Sequence, residues 1–125
     1  MESQDNTRKS KTGVARIWNA FLYSMEGISA AFRHETAFRQ EVLLAVILIP
    51  TALLLPVNGT GKALMLGSVL LVLIVELINS AIEAVVDRIS PEHHPLAKRA
   101  KDFGSAAVLL SLINVPLIWT LVMFA

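Results

Sequence analysis

The chain contains no cysteine, which excludes disulfides and thiolate metal sites without locating the compartment. Charge is also scarce: 17% of the 125 residues are Asp, Glu, Lys or Arg, against 54% that are hydrophobic. A soluble domain averages about a quarter charged, so this is the composition of a membrane protein. The few charges are unevenly spread. Lys62 is the only charged side chain between Val42 and Val75, and residues 103–125 carry none. The net charge of +1 therefore says less than the distribution. The length allows one domain at most. The polar start MESQDNTRKSKTG leads into no short apolar region with a small-residue cleavage site. No signal peptide is expected, and the internal apolar runs should remain in the mature chain. Internal repeats and low-complexity tracts are missing too.

What the chain does have is helical periodicity. Residues 1–12 read as a flexible polar tail. Over 14–33 the apolar residues Val14, Ile17, Trp18, Phe21, Leu22, Met25, Ile28 and Phe32 recur at i, i+3, i+4, which predicts a helix with one apolar face. Basic residues at its start, with Trp18 and Phe21 beside them, suit a helix lying at headgroup level; packing against protein is the alternative. HETAFRQE (34–41) then leads without a breaker into the apolar run 42–57. That run reaches about 24 Å as a helix, short of the roughly 30 Å hydrocarbon core, so part of the preceding segment must join it. A first span is expected over about 38–57, kinked at Pro50 and ended by Pro56 and Asn58-Gly59. NGTGK (58–62) reads as a tight turn. A second span runs over about 63–89 and stops before Pro91. PEHHPLAKRAKD (91–102) reads as a loop. A third span over about 103–125 reaches about 34 Å, enough to cross with some tilt. The expected fold is thus an all-α membrane protein: a surface helix and three transmembrane helices in one domain, 1–125. Arg8, Lys9, Lys11, Arg16, Arg33 and Arg39 precede the first span and Arg88, Lys98, Arg99 and Lys101 lie near the second loop, whereas the first loop has only Lys62. The positive-inside rule puts the N-terminus and the second loop in the cytoplasm.

The second span carries an unusual stripe. Glu76, Asn79, Ser80, Glu83 and Asp87 share one helical face, with Glu76 about 10 Å deeper along the axis than Glu83. A carboxylate at bilayer depth costs about 2.5–3.5 kcal/mol on insertion scales, so it needs a partner, a wet cavity or a proton. Polar glue between helices would account for Asn79 and Ser80 but not for three acids where amides would serve. An ion or proton pathway and an enzyme site at the membrane surface both remain. The surroundings favour the enzyme, because the stripe runs toward EHH (92–94) and KRAKD (98–102). Carboxylates that hold a divalent cation, flanked by Lys and Arg, are what a nucleoside triphosphate needs. A deeper carboxylate could take a proton from a lipid hydroxyl. Taken singly, His93 and His94 read as solvated loop residues, KRAKD as an anchor for acidic lipids, and Glu35 and Glu41 as a solvated face. No Walker A loop or soluble-kinase signature occurs, so such chemistry would be built from these helices alone.

ETAFRQE (35–41), ELINSAIEAVVDRIS (76–90) and KDFGSAAVL (101–109) closely resemble the bacterial membrane-integral diacylglycerol kinase family, and the likeness extends over roughly residues 13–120. The run E-x-x-N-[ST]-A-I-E-x-x-x-D is highly specific. The resemblance implies a homotrimer of the inner membrane, with active sites between subunits, that transfers phosphate directly from ATP, with Mg²⁺, to a lipid at the cytoplasmic interface. It implies Glu76 as catalytic base, Glu35 and Glu83 as Mg²⁺ ligands, and Asn79 as polar support. Arg16, Tyr23, Glu35, Glu83, Glu92, His93, His94, Lys101 and Asp102 would contact ATP. Ala37, Phe38, Arg39, Gln40, Glu41 and Ser105 would contact the lipid. Met25-Glu26, Phe32-Arg33-His34, Pro91 and Pro95 depart from the family pattern. Diacylglycerol is the expected substrate, undecaprenol the alternative lipid alcohol, and a small ion-conducting or scaffolding protein the non-enzymatic alternative. No nucleic-acid partner is expected. Asp87 has no role in this scheme.

Overall fold

The computed structural model describes residues 12–90 and 93–125. They form four helices: α1, Gly13–His34; α2, Thr36–Leu54; α3, Gly59–Ile89; and α4, Pro95–Phe124. The last three are long and apolar enough to cross a membrane. Large apolar side chains such as Leu43, Ile47, Leu70, Ile74, Leu110 and Leu117 stay exposed along them, as lipid-facing surfaces require. The tail expected over 1–12 lies outside the described residues except for Thr12, as does Glu92.

Helix α1 starts where Thr12 accepts a hydrogen bond from the Ala15 N–H, and it ends at Glu35, whose backbone is extended (φ −112°, ψ 108°). One residue therefore separates α1 from α2. Arg39 spans the break, donating to the carbonyls of Phe32 (3.0 Å) and Arg33 (2.9 Å) and to Thr36 Oγ1 (3.2 Å). Those carbonyls belong to the last turn of α1, which has no helical donors of its own.

Two boundaries differ from the sequence expectation. NGTGK is not a free turn: Asn58 Oδ1 accepts from the Gly61 N–H at 2.8 Å, so Gly59–Lys62 already form the first turn of α3. Lys62 then folds back to donate to the Leu53 carbonyl at 2.8 Å, and α2 stops at Leu54 rather than at 57. The loop expected over 91–102 is also shorter. Pro95 occupies the first turn of α4 and His94 Nδ1 accepts from the Leu96 N–H at 3.1 Å, so KRAKD lies on helix. α2 continues through Pro50 and α4 through Pro116.

The tightest packing lies between α3 and α4. Met65, Ser68, Val69 and Val72 of α3 are buried, and Trp119 Nε1 donates to the Met65 carbonyl (3.3 Å) and to Ser68 Oγ (3.2 Å). Glycines mark close approach at both ends of this antiparallel seam. A Cβ on Gly61 would stand 2.9 Å from Val122 Cγ1, and one on Gly104 would overlap the Asn79 carboxamide. The pairs 61–122, 68–119 and 79–104 set one register along α3, and that register aims the acidic stripe at the start of α4.

Candidate active site

Burial falls off along the stripe. Glu76 is 6% exposed, Asn79, Ser80 and Glu83 are half-buried, and Asp87 is exposed. This gradient matches the depth order expected from helical spacing.

At the deep end the side chain of Glu41, from α2, comes close to that of Glu76. The Glu41 oxygen Oε2 is buried without a partner. Beside it opens a cavity of about 150 Å³ lined by Leu44, Leu48, Val69, Val72, Leu112 and Pro116. The deep end therefore combines two acids with an apolar void.

The middle is set by Asn79. Its Nδ2 donates to Glu83 Oε1 at 3.4 Å, and its Oδ1 is buried with no partner, pressed toward Gly104. Only a residue without a Cβ lets the amide occupy that position, so Gly104 fixes how Asn79 addresses Glu83.

The outer end is a cleft of about 620 Å³ whose lining includes Asp87, His93, His94, Lys98, Lys101 and Asp102. Two ion pairs line it: Lys98 Nζ to Asp102 Oδ2 at 2.6 Å along α4, and Lys101 Nζ to Asp87 Oδ1 at 2.6 Å between α4 and α3. Four of the residues expected at ATP (His93, His94, Lys101 and Asp102) are thus gathered here.

Other expected residues lie elsewhere. Glu35 lines a separate cavity of about 540 Å³ with Ser24, Gly27 and His34 of α1 and with Leu77, Ser80 and Ala81 of α3. Glu83 is not in that lining. Among the described residues no three His, Asp or Glu side chains converge as a metal site. Arg16 and Tyr23 are exposed on α1. Of the residues expected at the lipid, Ala37, Gln40 and Ser105 are exposed, Phe38 is 3% exposed, Arg39 is committed to the end of α1, and Glu41 meets Glu76. Sequence reasoning had not singled out Gly104 or Trp119. A glycine in KDFGSAAVL and a tryptophan in an apolar run give no signal without knowledge of the facing helix.

Three long apolar helices, with a graded acidic face on one of them and a cleft of paired acids and lysines at one end, define a multi-pass membrane protein. The sequence model of the family described as prokaryotic diacylglycerol kinase matches residues 22–123. The protein named diacylglycerol kinase in Pseudomonas aeruginosa is 56% identical over 115 residues, 92% of this chain and 94% of that one. The one in Haemophilus influenzae is 48% identical over 113 residues, covering 90% and 96%. The one in Escherichia coli K12 is 46% identical over 114 residues, covering 91% and 93%. The chain belongs to the prokaryotic diacylglycerol kinase family.

Proposed function

We infer that the protein phosphorylates diacylglycerol to phosphatidate with ATP, at the cytoplasmic face of the bacterial inner membrane. Family membership supports the reaction. The observation that carries its assignment to residues is the two-ended stripe on α3: paired carboxyls beside an apolar cavity at one end, acids and lysines around an open cleft at the other. A lipid alcohol suits the first end and a nucleotide the second.

In this reading Glu76, paired with Glu41, accepts the proton of the lipid hydroxyl. The hydroxyl oxygen bonds to the γ-phosphorus as the bond from that phosphorus to the bridging oxygen breaks, and ADP leaves. Direct transfer needs no covalent phospho-enzyme, so positioning and charge do most of the work. Lys101 meets the phosphates, with His93, His94 and Asp102 around the nucleotide in the cleft. Glu83 and Glu35 would hold Mg²⁺, a hard cation that prefers oxygen donors, and the unpartnered Asn79 Oδ1 beside Glu83 suits that chemistry. When bound with ATP, Mg²⁺ neutralises phosphate charge. Glu83 is absent from the lining of the cavity that holds Glu35, which supports a site completed between subunits and hence the homotrimer. Arg16 and Tyr23 would then reach ATP from α1. Ala37, Phe38, Gln40, Glu41 and Ser105 remain assigned to the lipid side, and Arg39 supports that side by closing α1. The basic residues around the N-terminus and the start of α4 support a cytoplasmic N-terminus.

The test is lipid-dependent ATP consumption by the purified chain in bilayers, with diacylglycerol and undecaprenol supplied separately. Turnover of diacylglycerol is the expected result. Turnover of undecaprenol alone would overturn the substrate, and no lipid-dependent turnover would overturn the enzyme reading.

A further inference from the structure

Asp87 lies in the last turn of α3, where the helix dipole presents its negative end. An acid there gains nothing from the helix, so its presence calls for another reason. Its carboxylate meets Lys101 Nζ at 2.6 Å, across the gap from α3 to the second turn of α4. Both side chains are well exposed, at 61% and 44%, and both line the 620 Å³ cleft. Glu83, one turn deeper on the same face of α3, also attracts the Lys101 ammonium through space. Lys101 is therefore bonded to the outer of two carboxylates that attract it.

That choice has a consequence. A lysine is a compact charge on a four-carbon stem with many rotamers. Without an outer anchor, the nearest remaining acid on α3 is Glu83. A Lys101–Glu83 ion pair would neutralise the carboxylate that a cation needs and would draw the ammonium down out of the cleft. The interposed Asp87 prevents both.

We propose that Asp87 is a positioning residue for the nucleotide: it holds the Lys101 ammonium at the mouth of the cleft and off Glu83, leaving Glu83 free for the cation that accompanies ATP. The proposal rests on the nucleotide reading of the cleft given above. Asp87 touches neither the reacting atoms nor the lipid. Its effect is confined to nucleotide and cation affinity.

The test uses the full chain in bilayers, as wild type, Asp87→Asn and Asp87→Glu. Two quantities are read: the dissociation constant of a non-hydrolysable Mg²⁺–ATP analogue by calorimetry, and the steady-state constants for each substrate. Asp87→Asn should weaken analogue binding and raise KM for ATP, each about five- to tenfold, the scale of one misplaced charge-assisted contact. The Mg²⁺ midpoint should rise as well. KM for the lipid and kcat at saturation should stay within about twofold. Asp87→Glu should restore the nucleotide constants. Unchanged analogue binding in Asp87→Asn would overturn the proposal. So would an equal loss in kcat and both KM values, which is the mark of general distortion, or loss of the folded protein, since so exposed a pair does not hold up the bundle. If the wild type binds the analogue but turns over no lipid, the proposed function fails while the binding comparison still judges Asp87.

Discussion

The two halves of α3 are built for different ends. The half from Gly59 to Val75 buries Met65, Ser68, Val69 and Val72, closes on Val122 at Gly61 and is pinned by Trp119. Its interactions are apolar contacts and fully made hydrogen bonds. The half from Glu76 to Ile89 buries one side chain, Glu76, and leaves polar atoms unused at Asn79 and at neighbouring Glu41. A helix does not leave buried polar atoms unpartnered for stability, because each such group costs about 1–3 kcal/mol. The first half therefore anchors a rod whose second half is kept available for ligands. Substitutions in the second half should damage chemistry before stability, and those in the first half the reverse.

The largest effect is expected at Glu76. Glu76→Gln keeps the shape and removes the proton acceptor, so kcat should fall about 10²–10⁴-fold, the usual contribution of a general base. Retained turnover would end the assignment of the base to this residue. Thermal unfolding in detergent should change little, since an amide at a buried site still pairs with Glu41. Next comes Glu83→Gln, which should raise the Mg²⁺ and ATP requirements by about 10–100-fold while leaving lipid affinity close to that of wild type. Unchanged nucleotide dependence would move the cation away from α3.

Helix number, the N-terminal helix α1 and the three long apolar helices were legible in the sequence because periodicity and charge are properties of one segment at a time. The depth order of Glu76, Glu83 and Asp87 was legible for the same reason, being fixed by the helical rise. The starts of α3 and α4 were not, because Asn58 and His94 act as caps only through bonds to Gly61 and Leu96, and their neighbours resemble turn and loop residues. Arg39 was assigned to lipid by resemblance, yet its guanidinium closes α1. Lys101 was assigned to ATP, but that it leans on Asp87 depends on the register of two helices. Whatever depends on a facing element had to wait for the fold.

Gly104 offers a way to sharpen the contrast, because it lies on the seam but faces the chemical half. Gly104→Ala places a methyl against the Asn79 carboxamide, and the amide must turn away from Glu83 or the helices must part. Overpacking of this kind costs about 1–3 kcal/mol. If the amide yields, kcat/KM for ATP should drop about tenfold with little loss of thermal stability. Adding Asn79→Ala to Gly104→Ala should then cost less than the sum of the two separate changes, as expected of coupled neighbours. Additive losses would show that Gly104 and Asn79 act independently.

The smallest effect on activity is expected from Trp119→Phe, and it tests the anchoring half directly. The substitution keeps most of the aromatic volume but removes the donor to the Met65 carbonyl and Ser68 Oγ. Ser68 still donates to Met65 at 2.7 Å, so no carbonyl is stranded. Hydrogen bonds between membrane helices are worth about 0.6 kcal/mol on average and up to about 1.7 kcal/mol. The unfolding midpoint should fall by that modest amount, read by thermal denaturation in detergent, with kcat and both KM values held within about twofold. A loss of nucleotide affinity in Trp119→Phe would mean that the anchoring half of α3 transmits strain to Glu83, and the division of the helix into anchor and site would have to be abandoned.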